Sequence, residues 1–211
     1  NMLRLHFGGD LTDRDGFVRS VEDTEAWGQV LRHDKKSGVV LLPYGQLSPD
    51  MVLATDNLLA QHPDLLWRPL LRMAASPDTI VIIDTPPGPS VMLREILPHV
   101  DLLLTVLAAD SDSLVLYSRI ANGKIYSEVK PENRRYIINQ FDLLTRLGKI
   151  VGQGLVDKMG GALLGTVYRD EHVGEALAMQ QLIANYSPFS RSALDIRVIS
   201  ERVARYLEVL S

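Results

Sequence analysis

The sequence predicts an α/β protein in which a doubly wound, mostly parallel sheet carries helices on both faces. Five short runs rich in Val, Ile and Leu lack the alternation of apolar and polar residues that marks a half-exposed strand, so each is typical of a strand covered on both faces. Segments with helical spacing lie between these runs, and strands that alternate with helices favour a parallel sheet. The five runs are residues 38–43, 79–84, 101–108, 134–139 and 162–168.

The segments between the runs predict the helices. Residues 46–77 contain four prolines among apolar stretches, which indicates one or two helices with breaks. Before the last run, apolar residues recur at helical spacing at Leu144, Leu147, Val151, Leu155 and Met159. The closing segment repeats this spacing at Ile196, Ile199, Val203, Tyr206 and Leu210. Ser192, with Asp195 three residues later, predicts a capping box at the start of that last helix.

Composition excludes several classes of function. The chain has 211 residues and a formal net charge of -4, which argues against DNA or RNA as a partner bound through a global positive charge. Cysteine is absent, so disulfides and thiolate metal sites are excluded and a cytoplasmic location is expected. The five histidines show no metal-ligand spacing, and no nucleophile motif of an acyl hydrolase is present. No apolar run reaches the length of a membrane-spanning helix, so any membrane association is expected to be peripheral.

The strongest candidate for chemistry is Asp84, which follows the second apolar run directly. Ligands of an open parallel sheet bind beyond the carboxyl ends of its strands. An acid there can hold a magnesium ion through water beside a bound phosphate. Pro86 and Pro87 fix the backbone after it, and Gly88 lets a peptide N–H approach a phosphate oxygen. The alternative is structural: Asp84 caps the turn into the next helix.

Two later strand ends add further candidates. Asn139 carries a donor and an acceptor and can read the edge of an adenine, although an Asn in this position is also an ordinary turn residue. Arg169 and Asp170 either line a base or a partner subunit, or pair with each other or with Glu171 at a helix start. The neighbouring pair Arg134 and Arg135 is predicted to be solvated.

Four blocks, in order, resemble the ParA/MinD family of P-loop ATPases across nearly the whole chain. They are LLPYGQLS (residues 41–48), VIIDTPPG (81–88), IINQFD (137–142) and GTVYRDEHVGEALAMQQLIANYSPFSRSALD (165–195). The resemblance implies that Asp84 helps to hold Mg²⁺ on ATP through water. It also implies that the loop with Pro86 and Gly88 senses the γ-phosphate, that Asn139 faces adenine, and that Arg169 and Asp170 begin the loop that lines the base.

The resemblance also implies partners. Family members enclose two ATP molecules in a homodimer. Within the family, the chain is most similar to proteins that assist bacterial cellulose synthase at the inner membrane, so other components of that complex are expected partners. Two alternatives share the same motifs: a partitioning ATPase that binds DNA nonspecifically, and a scaffold of the same fold without nucleotide chemistry.

One family feature is missing from the 211 residues. No GxxxxGK[ST] phosphate loop occurs, and the nearest glycine pair, Gly160 and Gly161, precedes a strand instead of following one. We therefore expect a single ATPase domain over residues 1–211 that lacks a segment of about one βαβ unit, roughly 30 or more residues, ahead of Asn1. The residues that activate the attacking water in this family belong to that segment, so no catalytic residue is predicted, and ATP binding is predicted more firmly than hydrolysis.

Overall fold

The structure is a computed structural model that describes residues 3–10, 12–76 and 78–210, with Val209 and Leu210 described by their backbone alone. The expected boundary at Asn1 and Met2, the proline break at Pro77 and the side chain of Leu210 lie outside the described residues. The chain forms two compact units, Asn1–His99 and Val100–Ser211.

The N-terminal unit is mostly helical. Its helices are α1 (Thr24–Val30), α2 (Pro49–Gln61), α3 (Asp64–Met73) and α4 (Val91–Ile96), with 3-10 turns at Leu3–Phe7, Phe17–Ser20 and Leu97–His99. Helices α2 and α3 occupy the proline-rich region and confirm the prediction of helices with breaks there. Ser48 caps α2 by accepting a hydrogen bond from the Met51 N–H, as a serine before a helix start favours.

Residues 38–43 were predicted to form a parallel strand, and this is wrong. Strand β1 (Arg32–His33) pairs antiparallel with β2 (Val40–Leu41) instead. The intervening turn is closed by hydrogen bonds between Asp34 and both Gly38 and Val39. Gly38 has a φ of 75°, which glycine adopts without strain. The turn residues therefore select a hairpin, which apolar content alone does not reveal.

The run at residues 79–84 is not a strand in the described part of the chain. Its backbone has no ladder hydrogen bonds to another described segment. Ile80 and Ile82 are 65% and 88% exposed. The prediction of a buried strand ending at Asp84 is therefore wrong for this structure, because a strand forms only where a neighbour accepts and donates its backbone hydrogen bonds.

The C-terminal unit contains the parallel sheet. Strands β3 (Leu103–Ala108), β4 (Arg134–Phe141) and β5 (Leu163–Tyr168) lie in the order β3-β4-β5, and both pairings are parallel. These three strands confirm the predictions for residues 101–108, 134–139 and 162–168. Helices α5 (Ser111–Ala121), α6 (Arg146–Met159), α7 (Glu171–Ala178), α8 (Ile183–Tyr186) and α9 (Arg191–Leu210) follow or connect them.

Successive residues of β4 point to opposite faces of this sheet. Tyr136 and Ile138 pack with buried residues of α5 and α6. Ile137 packs on the other face against Ile199 of α9. Helices therefore cover both faces, which confirms the doubly wound arrangement for this unit.

The predicted helix before the last strand is α6, but its apolar residues divide between two faces. Leu155 and Met159 are buried against the sheet and Val151 is half-buried. Leu144, just before the helix, is 94% exposed, and Leu147 is exposed as well. The predicted helix is thus confirmed over Arg146–Met159, although Leu144 precedes it and Leu147 does not join the buried face.

The capping box predicted at the start of α9 is also wrong. Ser190, and not Ser192, accepts a hydrogen bond from the Ala193 N–H. Ser192 lies inside the first turn, where its N–H and hydroxyl both donate to Asp170. Ser190 and Ser192 each fit the cap pattern, and the contact with Asp170 decides between them.

Arg134 corrects the prediction of a solvated arginine pair. It is only 5% exposed, and its guanidinium donates to the carbonyls of Val129 (2.8 and 2.5 Å) and Ile120 (2.9 Å). Arg135 is half-buried, with its guanidinium 4.3 Å from the centre of the Tyr206 ring. The first arginine of the pair thus anchors the start of β4 to the end of α5.

None of the helices in residues 3–10, 12–76 and 78–210 combines the length and apolar character that a membrane crossing requires.

Candidate functional site

The predicted site residues fall in both units. Asp84, Pro86 and Gly88 belong to the N-terminal unit, and Asn139, Arg169 and Asp170 belong to the C-terminal unit. Within the C-terminal unit, the last three lie at the carboxyl ends of the neighbouring parallel strands β4 and β5, as predicted.

Asn139 lies near the carboxyl end of β4, where the pairing with β5 is irregular between Ile138 and Phe141, and its amide NH₂ group is available. The Asn139 Oδ1 atom accepts a hydrogen bond from the Gln140 N–H at 2.9 Å. Gln140 has a φ of 55°, in the left-handed region that few residues other than glycine adopt. No other described residue hydrogen-bonds the Asn139 side chain, so its NH₂ group and the second lone pair of Oδ1 are free for a ligand.

The ends of β4 and β5 are joined by backbone and ring contacts. The Arg169 N–H donates to the Phe141 carbonyl at 3.1 Å. The Phe141 and Tyr168 rings stack with centres 5.3 Å apart, and the Arg191 guanidinium lies 4.1 Å from the Tyr168 ring centre. Asp195 accepts from the Tyr168 N–H at 3.1 Å. These contacts support the strand edge that carries Asn139 and Arg169.

The Arg169 side chain is exposed and has no hydrogen bond or ion pair to any residue in the described part of the chain. It is therefore available for a ligand or partner. The alternative prediction, a pair with Asp170 or Glu171, is wrong for this structure.

Both carboxylate oxygens of Asp170 accept hydrogen bonds from residues of the same chain. It caps α7 through the His172 N–H, and its other oxygen accepts from the Ser192 N–H at 3.0 Å and the Ser192 hydroxyl at 3.1 Å. The His172 Nδ1 atom lies 2.7 Å from Asp170. These hydrogen bonds, the one from the Ser192 N–H foremost, hold the pKa of Asp170 well below its usual range. Asp170 therefore ties the start of α7 to the start of α9.

We expect Asp170→Asn to lower the free energy of unfolding by about 2 kcal/mol at pH 7, since hydrogen bonds to a charged group contribute about 1.5–3 kcal/mol each. A carboxyl with a lowered folded pKa stabilises the protein above its unfolded pKa of about 3.9 and loses that effect as pH falls through the folded pKa. The wild type should therefore approach the variant below pH 4. Urea unfolding from pH 2 to 7 measures this, with the neighbouring Glu171→Gln as control; a gap between wild type and variant that is as large at pH 2 as at pH 7 contradicts it.

His172 titrates in the opposite sense. Its hydrogen bond with Asp170 raises the pKa of His172. A raised folded pKa gives stability below the unfolded pKa of about 6.5, which is lost as pH rises through the folded pKa. When urea unfolding is extended to pH 9, His172→Gln should therefore be less stable than the wild type at pH 6 and equal to it at pH 9.

Asp84 follows the exposed run of the N-terminal unit. Ser90, and not Asp84, caps α4 by accepting from the Leu93 N–H at 3.1 Å, so the structural alternative for Asp84 is wrong. The Asp84 carboxylate is exposed and has no hydrogen bond or ion pair with another described residue. Within residues 3–10, 12–76 and 78–210, no three His, Cys, Asp or Glu side chains are grouped to hold a metal ion.

The loop after Asp84 presents a backbone donor. Pro86 and Pro87 have no N–H, so Gly88 is the first donor after Thr85. Gly88 has a φ of 93°, and a Cβ atom there would meet open space. Its N–H has no backbone acceptor among the described residues. The loop therefore places a carboxylate and a free N–H four residues apart.

A cavity elsewhere in the N-terminal unit does not coincide with these residues. It has a volume of about 460 Å³ on the surface of α3, with Asp64, Trp67, Arg68 and Arg72 in its lining. None of the predicted site residues lines it.

Sequence reasoning missed the residues that support the strand edge. Ser192 and Asp195 hold Asp170 and Tyr168 through contacts 22 and 27 residues apart. Sequence spacing shows local caps, and neither of these contacts is local.

Solved structures identify the fold. MinD complexed with Mg-ADP from Pyrococcus horikoshii OT3 matches 99% of this chain and 81% of its own with a TM-score of 0.73 and 16% identity. A ParA family ATPase from Chlorobium tepidum TLS matches 95% of this chain and 79% of its own with a TM-score of 0.70 and 17% identity. The chain thus has the α/β fold of the ParA/MinD class of P-loop ATPases.

The family is more specific than the fold. The family model for cellulose biosynthesis protein BcsQ matches residues 1–203, and this chain belongs to that family. BcsQ of Escherichia coli (strain K12) is 24% identical over 201 residues, which cover 95% of this chain and 76% of the relative. BcsQ of Salmonella typhi is 23% identical over 204 residues, with the same coverage.

Proposed function

We propose that this protein binds ATP with Mg²⁺, hydrolyses it, and acts as an accessory regulator of the bacterial cellulose synthase complex. In this proposal residues 1–211 act as one nucleotide-binding domain, and two copies enclose the nucleotide. Membership of the BcsQ family supports the link to cellulose, and the ParA/MinD fold supports a nucleotide as ligand. We place the protein in the cytoplasm and at the inner membrane surface, where its partners would be other components of the synthase complex.

The free Asp84 carboxylate is the observation that carries the proposal. An exposed acid that caps no helix and pairs with no described residue is available for a cation. Mg²⁺ is typically held by one or two carboxylates together with waters and substrate phosphates, so a single acid fits this ion. The bound ion would neutralise charge on the phosphates.

Other residues of the chain fit the nucleotide at two points. The Gly88 N–H can donate to a phosphate oxygen, since its φ and the open space beside it allow close approach. Asn139 can donate its NH₂ group to a base nitrogen while Oδ1 accepts from the exocyclic amine. Arg169 presents an exposed cation at the same strand edge. Asp170 would contribute by fixing the loop that begins there, because its oxygens are already engaged.

Replacing Asp84 with Asn tests the proposal. We expect Asp84→Asn to weaken binding of ATP at least tenfold in the presence of Mg²⁺, because the neutral amide is a poorer partner for a hydrated cation. Without Mg²⁺ the two proteins should bind ATP alike. Isothermal titration of the full-length protein, with and without Mg²⁺, measures both affinities.

Asp78→Asn is the matched control, since Asp78 is an exposed acid six residues earlier. It should leave Mg-ATP affinity unchanged. Equal affinity of the Asp84 variant and the wild type in Mg²⁺ would remove Asp84 from the metal site. Cellulose output of cells that carry the Asp84 variant then tests the regulatory part separately.

A further inference from the structure

The outer surface of α6 carries aliphatic side chains that the C-terminal unit leaves uncovered. One side of the helix is buried against the sheet through Gly152, Leu155 and Met159. The other side exposes Leu147 and Ile150, which are 58% and 61% exposed. Burial of large aliphatic side chains contributes about 1.5–3 kcal/mol each, so these residues favour a partner that covers them.

The outer surface of α6 has a defined composition. Arg146, Ile150, Gly154 and Asp157 are spaced four, four and three residues apart, so they lie along one line of the helix surface. We call these four residues, with Leu147 beside them, the α6 stripe. It begins with a cation, has an aliphatic side chain and a glycine in the middle, and ends with an anion.

The two charges oppose the dipole of their own helix. Acidic residues stabilise a helix N-terminus and basic residues a C-terminus, yet Arg146 is the first residue of α6 and Asp157 lies in its last turn. The Arg146 side chain has no ion pair among the described residues. Asp157 accepts a hydrogen bond from the Gln153 Nε2 atom at 2.8 Å, which keeps its carboxylate beside the stripe. An opposite charge from a partner would stabilise each of these two side chains.

An antiparallel copy of the same helix supplies those charges. A two-fold axis between Ile150 and Gly154 places Arg146 of each copy near Asp157 of the other, since a two-fold contact uses the same patch twice. Each Ile150 then faces the Gly154 of the other copy, where a Cβ atom would meet nothing within 4 Å. The stripe is therefore complementary to itself in both charge and shape.

We propose that the α6 stripe is a homotypic docking surface, through which a second copy of this chain binds in antiparallel orientation. This contact is separate from the nucleotide-enclosing dimer of the proposed function and does not need ATP. An anionic membrane fits the stripe poorly, because the stripe ends in an exposed carboxylate. One 14-residue helix buries less area than the roughly 800 Å² per partner of a standard interface. The association is therefore weak and concentration-dependent.

Charge reversal with mixing tests the proposal by sedimentation equilibrium of the full-length protein without nucleotide. Arg146→Glu and Asp157→Arg should each weaken self-association at least tenfold, since each turns two attractive contacts into repulsive ones. The double variant should recover it, and an equimolar mixture of the two single variants should associate more strongly than either alone. Ile150→Glu should abolish association. Lys149→Glu, on the same helix but off the stripe, should have little effect.

Three results overturn the proposal: a wild type that stays monomeric at all concentrations, single variants that associate like the wild type, or a mixture that gains nothing over its components. Binding of the wild type to anionic vesicles or to an amphipathic peptide, in the absence of self-association, would also overturn it. The sedimentation experiment contains no nucleotide, so a negative result in it does not bear on the titration of Asp84→Asn with ATP and Mg²⁺.

Discussion

Replacement of Arg134 by Met is expected to lower the free energy of unfolding by about 3 kcal/mol. The guanidinium is buried and donates to the carbonyls of Val129 and Ile120. Hydrogen bonds to a charged group contribute about 1.5–3 kcal/mol each, and a buried carbonyl left without a donor costs about 1–3 kcal/mol. Val129 loses both of its guanidinium donors in the variant. Urea unfolding followed by circular dichroism measures the change.

The neighbouring arginine is the matched control. Arg135→Met removes an equal charge from the next residue of β4 but loses a cation–π contact with Tyr206 and two hydrogen bonds at a partly exposed position. The loss should be about 1 kcal/mol or less, because at a partly exposed position water replaces the lost hydrogen bonds and an exposed cation–π contact contributes little. Arg134→Lys should recover only part of the loss at position 134, because an ammonium cannot reproduce the planar fork of the guanidinium. If Arg134→Met and Arg135→Met lower the free energy of unfolding equally, burial of Arg134 does not explain its contribution to stability.

The pairing of backbones decides which apolar runs formed parallel strands. The runs that became β3, β4 and β5 pair with one another, so apolar content and length were enough. The run at residues 79–84 has the same composition, yet its backbone pairs with no described strand. An apolar pattern shows that a segment favours burial, but it does not show which segment buries it.

The candidate site was predictable to the same degree. The rule that parallel strands end at one edge placed Asn139 and Arg169 on neighbouring strand ends, and the structure agrees. Asp170 was placed correctly, but its contacts with Ser192 could not be predicted, because they join residues 22 positions apart. A carboxylate with free oxygens and one saturated by hydrogen bonds look alike in a sequence. The structure separates them: the Asp84 carboxylate has no partner among the described residues, whereas the Asp170 carboxylate accepts hydrogen bonds from His172 and Ser192.

The buried arginine and the corrected helix cap share one physical cause. Arg134 follows a charged turn, which locally favours solvation, but its guanidinium reaches Ile120, 14 residues earlier. Ser192 fits a cap pattern, but its N–H and hydroxyl donate to Asp170 instead. In both cases a tertiary hydrogen bond outweighs a local preference of about 1 kcal/mol. Arg134 lies at the amino end of β4, whereas the contact between Ser192 and Asp170 lies at the carboxyl end of β5, beside the candidate site.

Replacement by valine is expected to have very different effects on stability at two glycines of α6, Gly152 and Gly154, which are two residues apart. A Cβ atom at Gly152 would overlap the Cε2 atom of Phe141, whereas a Cβ atom at Gly154 would meet nothing within 4 Å. The Phe141 ring is buried and stacks on Tyr168, so it cannot move aside freely. We expect Gly152→Val to lower the free energy of unfolding by about 3 kcal/mol, at the upper end of overpacking costs.

Gly154→Val should leave stability nearly unchanged, because valine has a slightly better helix propensity than glycine and nothing crowds it there. Thermal unfolding of the two variants at matched, low protein concentration compares them directly. A shift of Phe141 would also move the stacked Tyr168 ring and the strand edge beside it. Gly152→Val should therefore weaken ATP binding if the edge at Asn139 holds the base, while Gly154→Val should not. Equal stability of the two variants would mean that the Phe141 ring is free to move and that the edge of β4 and β5 is not rigid.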